Sequence, residues 1–162
     1  MPSTPPDPRT QFENVEHLLT AWLKERRALL SSYTALVVAI DDVPGPEGLK
    51  KRQWALCDLL VDYVSAGHFE IYQKLLEEAE SFGDGSGALA AELIPAIGDT
   101  TEVILAYEEK YTGTGEYSDT LARDLSALGE ILESRFVLED RLIAGVRNRH
   151  RRLVNPAPAR SA

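Results

Sequence analysis

Four stretches of this chain repeat their apolar residues every three to four positions, and that repeat leaves few folds open. In the first, about residues 12–40, the stripe reads Val15, Leu18, Leu19, Trp22, Leu29, Leu30, Tyr33, Leu36, Val37 and Ile40. A period of about 3.6 residues is that of an α-helix with one apolar face. The second stretch, about 49–82, carries Trp54, Cys57, Leu60, Val61, Val64, Ile71, Leu75 and Ala79. The third, about 88–111, carries Leu93, Ile97, Ile104 and Tyr107. The fourth, about 117–147, carries Leu121, Leu125, Leu128, Leu132, Phe136, Leu142, Ile143 and Val146, with Ser118 as its N-cap.

The breaks between these stretches are rich in proline and glycine: DDVPGPEG at 41–48, GDGSG at 83–87 and TGTG at 112–115. Gly83 suits the residue just past a helix end. No stretch alternates as a strand does. Short loops between long helices imply antiparallel neighbours. The expected fold is all-α, an antiparallel four-helix bundle with a kinked or broken third helix. The kink or break is expected at Pro95, because a proline removes a backbone hydrogen bond and crowds the preceding turn. Residues 1–11 read as a disordered Pro-rich tail, 12–150 as a single helical domain and 151–162 as a flexible C-terminal tail.

Charge narrows the function. The chain of 162 residues has a formal net charge of −9, which disfavours general binding to phosphate backbones. The run RNRHRR at 147–152 is a local exception, and it reads as cations gathered at the end of a helix. An acidic surface is better matched to a basic protein surface. Cys57 is the one cysteine and lies in an apolar run, so it reads as a buried thiol in a reducing compartment. No apolar run approaches the roughly 18–20 residues that span a bilayer, and the N-terminus lacks the order of a secretory signal. A cytoplasmic protein is expected, with no membrane partner.

Each apolar stripe except the third is interrupted near its middle. Arg26 stands between Trp22 and Leu29, His68 between Val64 and Ile71, and Arg135 and Glu139 between Leu132 and Leu142. Antiparallel helices of similar length bring their midpoints together. A polar layer across the bundle centre follows, in which Arg26, Arg135, Glu139 and Glu133 pair, with His68 as a switchable member. Gly67 beside it favours local distortion, since a mid-helix glycine costs about 1 kcal/mol relative to alanine.

Such a layer can hold the helices in register, offer a recognition site where they part, or bind a metal. The stretch RFVLEDRL at 135–142 is similar to the His-Phe-x-x-Glu-Glu shape of hemerythrin-like helices, but Arg135 stands at the histidine position. A guanidinium does not ligate a metal while it carries its proton. With His17, His68 and His150 as the only histidines, the ligand count argues against a metal site, and no cofactor is expected. No phosphate-binding glycine loop or nucleophile–base order points to an enzyme.

At LVDYVSAGHFEIY (60–72) and LGEILESRFVLEDRLI (128–143) the sequence resembles the Rsd/AlgQ family, bacterial regulators of sigma D. The stretches WLKER (22–26), LCDLLVDY (56–63) and ELIPAI (92–97) also match, and the likeness covers roughly residues 15–143. The resemblance implies an all-helical cytoplasmic anti-sigma factor. Its partner would be the primary sigma factor, bound through the C-terminal promoter-recognising domain. Contacts of that domain with the −35 element and core polymerase would be blocked, lowering housekeeping transcription in stationary phase. Other regulatory proteins remain open as partners.

The resemblance also implies partner-binding residues: Trp22 and Arg26 in the first helix, Asp62, Ser65, His68, Phe69 and Tyr72 in the second, and Arg135, Phe136, Glu139 and Asp140 in the fourth. The aspartate of the Leu-Val-Asp-Tyr segment, here Asp62, is the one implicated in sigma contact. The 3.6 period turns Asp62 and Phe69 off the core stripe, so they are the better contact residues. His68, Arg135 and Glu139 are the better network residues. The Pro-rich start and Arg-rich end depart from the family pattern.

Overall fold

The computed structural model describes residues 7–42, 46–112 and 120–154. Five α-helices form four columns: α1 (Pro8–Asp42), α2 (Pro46–Ala66), α3 (Tyr72–Phe82), α4 (Ser86–Tyr111) and α5 (Leu121–Val154). A π-turn, Gly67–Ile71, joins α2 to α3 in one continuous column. The fold is a helical bundle, and among the described residues no strand occurs.

Neighbouring columns run antiparallel, as cross-contacts show. Between α1 and α5, Arg26 reaches Asp140, Tyr33 donates to the Leu125 carbonyl and Arg147 donates to the Phe12 carbonyl. Between α4 and α5, Arg135 reaches Thr100 and Thr101 while Lys110 reaches Asp124. Gln53 of α2 and Tyr107 of α4 bond side chain to side chain. The core between the columns is chiefly Leu29, Leu36, Leu56, Leu60, Leu75, Ile97, Ile104, Leu128, Leu132 and Leu142. Burying each such side chain contributes about 1.5–3 kcal/mol before the entropy of ordering is set against it.

Several boundaries differ from the sequence reading. Residues 8–11, expected in a disordered tail, form the first turn of α1. Pro8 suits the first helical position, where its missing N–H costs nothing. Asp7 Oδ1 accepts a hydrogen bond from the Thr10 amide at 2.8 Å, and Phe12 is buried. At the other end, residues 151–154 continue α5 instead of belonging to a flexible tail. Packing of Arg147 and His150 inside the bundle holds that turn in place. Residues 1–6 and 155–162 lie outside the described residues, as do Ser118 and most of the TGTG stretch.

The expected loop at 41–48 is shorter, because α1 continues to Asp42 and α2 begins at Pro46. The column containing Pro95 is not broken there, since α4 runs through it. Gly83 ends α3 in the left-handed conformation, φ 62°, with its N–H on the Ala79 carbonyl at 3.1 Å. Leu30, Val37 and Trp54 stand at the surface edge of their stripes, while Leu29, Leu36 and Leu56 take the centre.

Candidate functional site

A polar layer does cross the bundle centre, but with partly different members. Glu139 is fully buried on α5. Its Oε1 accepts from the Tyr63 hydroxyl at 2.6 Å and from Arg26 Nη2 at 3.2 Å. Its Oε2 accepts from the Tyr72 hydroxyl at 2.6 Å and from Arg135 Nε at 3.2 Å. One carboxylate is thus held by four donors from three columns. Such a buried charge is tolerable only when both oxygens are satisfied in this way.

Arg135, also fully buried, spends the rest of its guanidinium on α3 and α4. Its Nη2 donates to Tyr72 Oη at 2.8 Å, and its Nη1 to Thr100 Oγ1 at 3.0 Å and Thr101 Oγ1 at 2.7 Å. Arg26 connects the layer to the surface. Its Nε donates to Tyr63 Oη at 3.1 Å and its Nη1 to the exposed Asp140 at 2.7 Å. The guanidinium carbon lies 4.7 Å from the Phe136 ring centre, a cation–π contact. Burial opposes the Arg26 charge, yet the Tyr63 hydroxyl, Asp140 and Glu139 hold its pKa above the usual arginine range. Burial first, and then the Glu139 charge, push the Tyr63 and Tyr72 phenols well above the usual tyrosine range, so both serve as donors.

Trp22 closes the layer on one side. It stacks on Tyr63 with ring centres 4.7 Å apart and donates its Nε1–H to the Tyr63 carbonyl at 3.2 Å. Gly67 is required here. A Cβ at that position would stand 3.0 Å from Tyr72 Oη and 3.2 Å from Trp22 Cζ2.

His68 is not part of the network: it is exposed, its ring against Phe69. The reason is the π-turn, which spends an extra residue per turn and turns His68 outward while Gly67 faces the core. Glu133 is likewise exposed and outside the network. Of the eleven site residues read from the sequence, Trp22, Tyr72, Arg135 and Glu139 are buried, and Arg26, Ser65 and Phe136 are partly buried. Asp62, His68, Phe69 and Asp140 are exposed.

Phe69 is 74% exposed, the most exposed large apolar side chain among the described residues. Carboxylates of α1, α2 and the π-turn gather on its side of the bundle. Glu25 has its pKa raised by partial burial and by the charges of Asp62 and Glu70. This combination, an apolar projection beside crowded carboxylates, is built to meet an apolar and basic surface.

A second buried polar cluster was not foreseen. Arg147, read as a helix-end cation, is fully buried and pairs with the fully buried Glu78. It also reaches Glu16 at 2.6 Å, and its guanidinium carbon lies 3.8 Å from the Phe12 ring centre. His150 lies between two carboxylates, Nδ1 at 2.7 Å from Glu78 and Nε2 at 2.9 Å from Asp84, with its ring stacked on Phe82. The basic run masked this cluster, because alternating burial along 147–150 resembles a solvated helix end. The spacing of Arg147 to Val146 and Leu142 on one face is the signal that places it inward.

Comparison with known proteins agrees with this architecture. The family model described as "Regulator of RNA polymerase sigma(70) subunit, Rsd/AlgQ" matches residues 7–147. The chain belongs to the Rsd/AlgQ family. A "Regulator of sigma D" from Yersinia pseudotuberculosis is 34% identical over 137 residues, spanning 78% of this chain and 77% of that protein. One from Salmonella arizonae is 40% identical over 133 residues, spanning 78% and 79%. One from Yersinia enterocolitica is 35% identical over 131 residues, spanning 78% of each. No solved structure matches the chain. Membership covers nearly the whole bundle and makes it a member of a family of sigma(70) regulators. No described helix is long and apolar enough to cross a membrane.

Proposed function

We propose that this chain is a cytoplasmic anti-sigma factor that sequesters the primary sigma factor. It binds the C-terminal promoter-recognition domain, blocks its contacts with core RNA polymerase and the −35 element, and so lowers housekeeping transcription in stationary phase. The observation that carries this reading is the exposed Phe69 with Glu25, Asp62 and Glu70 on the same side of the bundle. A DNA-reading surface is basic, and a net charge of −9 favours its capture. Phe69 supplies the apolar anchor, and the carboxylates supply attraction and orientation. The buried layer of Glu139, Arg135 and the two tyrosines fixes the helices that present this face. A metal-binding bundle finds no comparable support, because His68, its needed ligand, faces solvent.

Titration calorimetry with the sigma C-terminal domain tests the proposal. Binding is expected at low ionic strength, weakening as salt rises. Asp62→Ala should weaken it with an unchanged melting curve. If no heat of binding appears at low salt, the proposal fails; if only Asp62→Ala is silent, the contact assignment fails.

A further inference from the structure

Leu23, Leu30 and Val37 lie seven residues apart on α1, to one side of the core stripe of Leu29 and Leu36. Residues seven apart share one helix face, so the three form an apolar row. The row spans about 21 Å at 1.5 Å per residue, enough to seat a helix of about four turns. Leu30 and Val37 are each 40% exposed. Across from them on α5 stands Val137, 54% exposed. Between the two helices runs a groove floored by Leu30, Tyr33, Leu132, Phe136 and Val137. Glu133 and Asp140 stand at its edge, and no basic residue lines it. Glu130 adds a third carboxylate in the adjoining depression beside Val137. Single exposed apolar residues are ordinary, but a contiguous apolar groove rimmed by one sign of charge is a docking surface.

This groove is separate from the Phe69 face. The α1 column is flanked by α2 and the π-turn on one side and by α5 on the other. Glu25, Asp62 and Phe69 belong to the first side, and Leu30, Val137 and Asp140 to the second.

We propose that the α1–α5 groove is a second docking site, which seats a basic amphipathic helix of the same sigma partner while the Phe69 face holds its promoter-recognising surface. The proposal rests on the anti-sigma reading. The carboxylate rim selects the occupant: apolar residues at i, i+3 or i+4, and i+7 fill the groove, and flanking lysine or arginine meets Glu130, Glu133 and Asp140. Arg26 ties this site to the bundle interior, because its guanidinium holds Asp140 and the buried Glu139 together.

The test is fluorescence anisotropy at constant low salt, with the full chain and the full-length sigma factor, comparing wild type, Leu30→Glu, Val137→Glu and Phe69→Ala. Each substitution is expected to weaken binding by roughly tenfold or more, the loss of one anchoring contact, with melting curves like wild type. If Leu30→Glu melts early, the more exposed Val137→Glu decides alone. Wild-type binding that falls with Phe69→Ala but stays within about twofold for Val137→Glu overturns the groove and leaves the anti-sigma reading standing. Absence of wild-type binding overturns both. Equilibrium sedimentation supplies the last arm: a wild-type dimer that Val137→Glu converts to monomer makes a second copy the occupant, and overturns the proposal.

Discussion

Tyr63 and Tyr72 close on the same carboxylate, each placing its hydroxyl 2.6 Å from a different oxygen of Glu139. In a straight α-helix, positions nine residues apart point in nearly opposite directions, about 180° around the axis. The π-turn between them absorbs one residue and reduces that separation to about 80°. The distortion around Gly67 is therefore what lets one column hold both oxygens of a buried acid.

Glu139→Gln should destabilise the bundle by about 3–5 kcal/mol, because Arg135 would stay buried without its counter-charge. Urea unfolding followed by circular dichroism measures this. A loss below about 1 kcal/mol would mean that the layer is hydrated or rearranges freely.

Gly67→Ala brings two opposing effects. Alanine favours a helix by about 1 kcal/mol, while pressing a Cβ against Tyr72 and Trp22 costs about 1–3 kcal/mol. A net loss is expected, larger for Gly67→Val, and red-shifted Trp22 emission should accompany it. A stabilised Gly67→Ala protein would contradict the close packing argued for this turn.

Arg147→Ala should cost about 3–5 kcal/mol, since Glu78 is fully buried and loses its guanidinium. Arg149→Ala, on an exposed neighbour, is the control and should leave the thermal midpoint almost unchanged. Equal effects from the two would return the run at 147–152 to a solvated helix end.

Stability should fall as the medium is acidified from about pH 4 to about pH 2. Hydrogen bonds from Ser86 hold Asp84 down at about 2, and one from Lys110, followed by Tyr111, does the same for Asp124. A carboxyl whose folded pKa is depressed contributes stability above its unfolded pKa and loses it as pH drops through the folded value. Glu16, lowered chiefly by its Arg147 hydrogen bond, adds in the same direction. Glu78, raised by burial, works the other way. Thermal midpoints recorded across this range should show a shallower decline for Asp124→Asn. An identical slope in that variant would remove Asp124 from the account.

The helical class, the column lengths and the mid-bundle polarity of Arg26, Arg135 and Glu139 were all legible in the sequence. They follow from the 3.6-residue period and from the cost of placing charge on an apolar stripe, both of which are local properties. The outward turn of Asp62 and Phe69 is legible for the same reason. The exchange of His68 for Tyr63 and Tyr72 was not, because a π-turn changes the phase of everything after it and a fixed period cannot register the change. The burial of Arg147 and His150 was hidden too: a basic run at a helix end reads as solvated unless the buried acid that meets it is known. That acid, Glu78, is 69 residues away in the chain. Patterning along one helix decides which residues can face inward. Only the packing of columns decides which charge meets which, because a buried pair is specified by two surfaces and is written in neither alone.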